Sequence, residues 1–93
     1  MIFELLTPVA LAHWIMTDGC ARPSGLILCT DSFTLPEVIR LMNVLMVKYQ
    51  LNCTLPQPSP NQYRIYIRES SMSQLRSIVL PYMVPSMLYK IGL

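Results

Sequence analysis

Apolar side chains at Val38, Leu41, Met42, Leu45 and Tyr49 recur at the three- and four-residue intervals of one helical face. This spacing predicts a helix that ends near Gln50. Its start is marked by Thr34 as N-cap with Glu37 three residues later, a capping box, and by Phe33 and Val38 placed as a hydrophobic staple. Residues 63–68 follow a different period. Tyr63, Ile65 and Ile67 alternate with Arg64, Tyr66 and Arg68, as a strand requires when one face is buried and the other is wet.

Segment 8–17 is apolar around its whole circumference. It predicts a helix with Thr7 as N-cap and Pro8 in the first position, where a missing N–H is harmless. Such a helix is expected to be buried on more than one side, as one shared between two domains would be. Beyond Gly19, a strand over 20–22, a turn over 23–25 and a return over 26–30 form a tight hairpin. A second hairpin pairs 52–55 with 63–68 through the proline-rich turn 56–60. Ser71 and Gln74 suggest another capping box for a third helix that stops at Leu80, because Pro81 cannot continue it. A last short helix is expected over 85–90. The order helix, hairpin, helix, hairpin, helix, helix predicts an α+β domain over 1–93, with a four-stranded antiparallel sheet covered on one face.

Composition changes this picture in one respect. The 93-residue chain is 53% hydrophobic and only 13% charged, against roughly 45–50% and 25% in ordinary soluble domains. One small core does not need that much apolar surface, so a subunit interface or partner domain is the expected sink. The apolar run 8–16 is interrupted by His13 and falls far short of the roughly 20 residues of a membrane span. The amino-terminal residues carry no basic segment followed by a sustained apolar core, so no secretory signal is expected. Cys20, Cys29 and Cys53 lack the paired spacing of a zinc site and read as buried thiols in a reducing compartment. The net charge of +2 would not by itself suggest a nucleic-acid partner.

Candidate chemistry begins where the first helix ends. Leu11-Ala12-His13-Trp14-Ile15-Met16-Thr17-Asp18-Gly19 runs from an apolar helix into a carboxylate and a glycine. A carboxylate at a helix C-terminus opposes the macrodipole at a cost of up to about 1 kcal/mol. Either Asp-Gly simply stops the helix, or Asp18 is held there for a divalent metal. Further blocks follow in order: Leu28-Cys29-Thr30-Asp31-Ser32-Phe33-Thr34, Glu37-Val38, Lys48-Tyr49-Gln50-Leu51-Asn52-Cys53, Tyr66-Ile67, and Pro81-Tyr82-Met83-Val84-Pro85-Ser86-Met87-Leu88-Tyr89-Lys90. Together with Leu6-Thr7-Pro8-Val9-Ala10 before the motif, they span about residues 6–91. In this order they resemble the LAGLIDADG homing endonucleases and the related intron maturases, in the branch built from two fused repeats.

The resemblance implies a saddle-shaped, DNA-binding sheet lying in the major groove and two domains meeting along the first helix. It implies Asp18 and Lys90 as catalytic residues, and Asp18 with Gly19 as half of a Mg²⁺ site completed by an equivalent acid from a second domain. Thr17 stands where this branch often has a second acid. His13 replaces the glycine of the family's name, and on an apolar helix face it reads as a packed core residue. Asp31 stands where the family commonly has Gln; it either orders water near the metal or extends the cap over 32–34.

The exposed face of the last strand, with Gln62, Arg64, Tyr66 and Arg68, has the chemistry for phosphate and base contact. Arg22, Ser24, Thr30, Asn52, Thr54 and Gln57 could extend it. A plain solvated sheet face accounts for the same residues, and the short first hairpin and thin basic charge weaken the nucleic-acid reading. The function implied is a double-stranded DNA endonuclease acting as a pair of domains with Mg²⁺. The alternative is a non-catalytic RNA-binding maturase or a structural component of a ribonucleoprotein. A single motif fits a homodimer or one half of a split or two-repeat protein, with the half favoured. An isolated half would expose the first helix and aggregate. The resemblance also implies organellar origin, the mitochondrion over the chloroplast.

Overall fold

Thr7 opens the first helix, α1 (Pro8–Asp18), by accepting the Ala10 N–H at 3.1 Å on its hydroxyl oxygen, with Pro8 just inside the helix. The computed structural model describes residues 6–31, 33–57, 60 and 62–93. Ser32, and Pro58 and Ser59 of the expected turn 56–60, therefore lie outside the described residues. From α1 the chain passes into strands β1 (Gly19–Arg22) and β2 (Gly25–Cys29), helix α2 (Leu35–Lys48), strands β3 (Cys53–Thr54) and β4 (Arg64–Arg68), and helix α3 (Met72–Val79). Short 3-10 turns occupy Glu69–Ser71, Leu80–Tyr82 and Pro85–Ile91.

The four strands form one antiparallel sheet in the order β1-β2-β4-β3. Leu26 and Leu28 of β2 lie opposite Ile67 and Ile65 of β4, and all four are fully buried. Leu11, Ala12 and Ile15 of α1, Val38, Leu41 and Leu45 of α2, and Leu75 and Val79 of α3 close over that face as one core. The other face of the sheet carries no helix of the described residues, as the alternation in 63–68 predicts. At the tip of the first hairpin Gly25 has φ +150°, and a Cβ there would lie 2.2 Å from the Ile67 carbonyl oxygen, so only glycine lets β2 pair with β4 at this position.

Helix α2 starts as predicted. The Thr34 hydroxyl accepts the Glu37 N–H, and the Glu37 carboxylate accepts the Thr34 N–H at 2.9 Å. It ends at Lys48, with Gln50 at φ 56° turning the chain out of the helix. Tyr49 and Lys48 both donate to the Leu6 carbonyl, at 2.6 and 3.0 Å, and fasten the entry of α1 to the end of α2.

The third helix departs from expectation at both ends. Ser71 makes no side-chain cap; its hydroxyl accepts the Asn52 N–H at 2.7 Å and ties the start of α3 to the approach to β3. Pro81 does not stop the chain dead. The α-helical bonding ends at Val79, and a 3-10 turn carries Pro81 near its start, where no N–H is needed. The last helix is 3-10 throughout, over Pro85–Ile91. Helix α1 is buried on one side only: Val9 is 45% exposed, and His13 and Thr17 are exposed. The three cysteines are free and half-buried rather than buried.

Candidate nucleic-acid interface and carboxylate site

Asp18 is the last residue of α1, and Gly19 is both its C-cap and the first residue of β1. The Gly19 N–H donates to the Ile15 carbonyl. A Cβ at residue 19 would lie 2.5 Å from that same oxygen, so a helix can become a strand here without an intervening loop only because residue 19 has no side chain. This junction leaves the Asp18 carboxylate exposed between the helix end and the sheet edge. Lys90 comes to the same place from the far end of the chain. Its ammonium donates to the Met16 carbonyl at 2.7 Å, placing a cation on the negative end of the α1 dipole.

The neighbouring α1 side chains have other work. The Thr17 hydroxyl donates back to the His13 and Trp14 carbonyls, at 3.0 and 3.2 Å. His13 is exposed rather than packed in the core, because it shares with Val9 and Thr17 a side of α1 that none of the described residues covers. Beside that stripe Leu6, Ala10, His13, Trp14, Thr17, Asp18, Phe33 and Leu41 line a cavity of about 340 Å³. The Trp14 indole N–H is buried without a partner among the described residues.

The strand register sets the open face of the sheet. Arg22, Gly25 and Arg68 form one cross-strand row, with an arginine on each side of the glycine. Cys20, Ile27, Tyr66 and Thr54 form the next row, and Cys29 and Arg64 a third. Tyr66 is clamped to the first turn: its hydroxyl donates to the Ser24 carbonyl and lies 3.2 Å from the Ser24 hydroxyl oxygen. Arg22, Ser24, Asn52, Thr54, Gln57 and Arg68 are exposed, while Gln62, Arg64 and Tyr66 are half-buried. The Gln62 amide donates to the Asp31 carboxylate at 3.4 Å, which pairs that negative charge at the rim. Thr30 does not join the surface. It is 2% exposed, and its hydroxyl donates to the Tyr63 carbonyl, because β2 has ended at Cys29 and the chain is turning inward.

Residues 1–75 match the family model described as the LAGLIDADG DNA endonuclease family. The chain belongs to that family. An intron-encoded endonuclease, ai4, of Dictyostelium discoideum is 45% identical over 99% of this chain and 58% of its own length. The cytochrome b mRNA maturase bI2 of Debaryomyces hansenii is 46% identical over 98% of this chain and 35% of its own. The solved structure of the homing endonuclease I-WcaI bound to its DNA recognition sequence superposes with a TM-score of 0.83 at 34% identity, covering 91% of this chain and 40% of that one. This chain thus spans from about a third to somewhat over half the length of these relatives.

As a LAGLIDADG domain, the chain has its motif acid at the end of α1 and a four-stranded sheet beside it. No group of three or more His, Cys, Asp or Glu among the described residues is arranged to hold a metal ion. Asp18 is a hard oxygen donor of the kind Mg²⁺ takes, but a lone carboxylate fits only part of such a site. In the sequence Asp18 stands out by the motif, Lys90 only by the family resemblance, and Arg64 and Arg68 by strand alternation. Cys20, Ile27 and Cys29 also lie on the open face and were missed, since their placement depends on cross-strand register.

Proposed function

We propose that this chain is one domain of a DNA endonuclease of the homing type, cutting double-stranded DNA as a pair of LAGLIDADG domains. The observation that carries this reading is the meeting of Asp18 and Lys90 at one end of α1, beside an open sheet face bearing Arg22, Arg64, Tyr66 and Arg68. The relative whose title names a bound DNA recognition sequence supports the choice of duplex DNA.

In this reading the arginines of the open face neutralise phosphates and reach base edges. Tyr66, held by Ser24, keeps the first turn fixed against the sheet. Asp18 and Gly19 would hold Mg²⁺ together with the matching acid of a second domain, and the ion would supply charge neutralisation at the phosphoryl oxygens. Lys90 keeps a positive charge beside Asp18, where it offsets charge on a phosphate. The second domain, a copy of this chain or the other half of a longer protein, covers the exposed side of α1 at Val9, His13 and Thr17. Relatives named for cytochrome b mRNA support a mitochondrial setting for the chain on this reading.

The test is to incubate the purified chain with long duplex DNA and Mg²⁺, with and without the Asp18→Asn substitution. Cleavage that disappears in the variant while DNA binding persists is the expected result. A second reading, an RNA-binding maturase without cleavage, is favoured by the maturase relatives and by the near balance of seven basic against five acidic residues. RNA binding without cleavage of any duplex would select it.

A further inference from the structure

Cys20 lies opposite Ile27 across β1 and β2, and Cys29 lies two residues further along β2, opposite Arg64 of β4. Strand side chains have a period of two, so Cys20, Ile27, Cys29 and Arg64 all stand on the open face of the sheet. The two cysteines are diagonal neighbours there, both free and half-buried, with the Cys20 thiol near enough to help push the Cys29 thiol up from its ordinary value. Diagonal residues of an antiparallel pair stand roughly 7–8 Å apart, whereas a disulfide joins Cα atoms no more than about 6.8 Å apart. At the spacing usual for diagonal neighbours direct closure of an S–S bond is disfavoured, and one atom between the sulfurs bridges the gap better.

We propose that Cys20 and Cys29 form a two-coordinate site for a soft monovalent cation of the Cu(I) type. Thiolates prefer such ions over the hard Mg²⁺ that suits Asp18. On binding, two S–H bonds break and two metal–sulfur bonds form. Two protons pass to solvent, and no electron is transferred. The neutral thiol pair and a +1 ion become a bis-thiolate adduct of charge −1.

Arg64 is placed to accept that charge. It is the cross-strand partner of Cys29, and its Nε–H is buried without a hydrogen-bond partner among the described residues. Asp31 is the opposing group, since its carboxylate disfavours a thiolate at Cys29, but it already receives the Gln62 amide. Burial and the Cys20 thiol push the Cys29 thiol up from its ordinary value. The Cys29 thiol is thus held protonated until a metal displaces its proton. Where the face binds nucleic acid, as proposed above, an occupied site competes with phosphate for Arg64.

The test is an anaerobic titration of the reduced full chain carrying Cys53→Ser with Ag(I), and separately with Cu(I) against a chromophoric chelator, both without nucleic acid. The expected result is one equivalent bound with two protons released. Cys20→Ser and Cys29→Ser should each lower affinity by more than roughly 100-fold, the upper range for losing an outer-sphere partner, and Arg64→Gln by about 10-fold at unchanged stoichiometry. Independent uptake of one ion per thiol, or release of a single proton, would overturn the proposal without reference to any variant's fold. So would ready formation of a Cys20–Cys29 disulfide by a mild oxidant in the absence of metal. In a separate binding assay, filling the site with one equivalent of Ag(I) should lower nucleic-acid affinity; an unchanged affinity would retain the metal site and count against the role of the open face.

Discussion

The Lys90 ammonium lies 2.7 Å from the Met16 carbonyl oxygen, two residues before Asp18, although 74 positions separate the two in the chain. This single bond ties the carboxyl-terminal 3-10 helix to the end of α1 and sets a positive charge at the helix end that carries Asp18. Its structural and chemical roles can be separated.

Lys90→Met should lose both the bond and the charge. Leaving a partly buried carbonyl without its charged donor costs about 1 kcal/mol after allowance for solvent screening, read as a lower urea midpoint. Lys90→Arg keeps a cation within reach of Met16. If Lys90 acts only as a helix cap, the two variants should differ in stability and not in cleavage of duplex DNA. If it serves the reaction, cleavage should fall in Lys90→Met well beyond what lost stability explains.

At Thr34 the capping box makes a prediction about pH. Hydrogen bonds from Thr34 hold the Glu37 carboxyl below the usual carboxylate range, with a smaller contribution from Arg40. A folded-state value below the unfolded one means that stability is fully present above the unfolded value and is lost as pH falls through the folded one. Thr34→Ala should destabilise the protein by about 1 kcal/mol at neutral pH. It should flatten the acid limb of a plot of stability against pH only in part, because the residue-34 N–H, the larger of the two causes, still reaches Glu37. Glu37→Gln should flatten it further, and an unchanged acid limb in that variant would remove Glu37 from the cap.

How much could be read from the chain depended on whether the partners of each residue were local. The start of α2 was legible because Thr34, Glu37, Phe33 and Val38 lie within six positions. Ser71 and Gln74 offered the same local pattern, yet the Ser71 hydroxyl is occupied by Asn52, nineteen residues away. Nothing near Ser71 signals that bond. Thr30 was misplaced for a related reason: alternation tells inside from outside only while the strand continues, and β2 stops one residue earlier. The burial of α1 was half right. Its apolar circumference is real, but the described residues fully bury only the side with Leu11, Ala12 and Ile15. Asp18 and Lys90 were brought together by resemblance, since no periodicity links positions 72 residues apart.

Gly19 gives the sharpest steric prediction. A methyl group there meets the Ile15 carbonyl oxygen at 2.5 Å, backbone that cannot swing aside. Gly19→Ala should cost about 1–3 kcal/mol, as overpacking does, and should shift Asp18 relative to the sheet. Thermal denaturation of the variant, compared with Ala21→Gly at an exposed strand position, checks this. Equal stability in Gly19→Ala and the wild-type chain would mean that the helix-to-strand junction is more pliant than its geometry indicates.

The exposed side of α1 predicts self-association. Val9, His13 and Thr17 stand at i, i+4 and i+8, so they form one uncovered stripe beside the 340 Å³ cavity. Sedimentation of the isolated chain should show dimers or larger species, and Val9→Glu should shift the population toward monomer while leaving the core intact. A monodisperse monomer of the unmodified chain at tens of micromolar would contradict an interface on this side.

Arg22 and Arg68 stand in one row on either side of Gly25, both exposed, with the Tyr66 ring lying over the bare glycine between them and the Arg22 guanidinium donating to the Ala21 carbonyl at 3.0 Å. That spacing suits contact with phosphates on a backbone lying over the sheet, whereas Arg64 is half-buried beside Cys29. The two exposed arginines should therefore act mainly through charge. Removing either one should weaken binding to every duplex sequence by a similar factor and lower the slope of log K against log salt by about 1. Arg64→Gln should instead change the preference among sequences, because a guanidinium held by its surroundings can report base geometry as well as charge. Fluorescence anisotropy with a specific and a scrambled duplex, at several salt concentrations, separates these effects. An unaltered salt slope in both Arg22→Gln and Arg68→Gln would place the nucleic acid off this face.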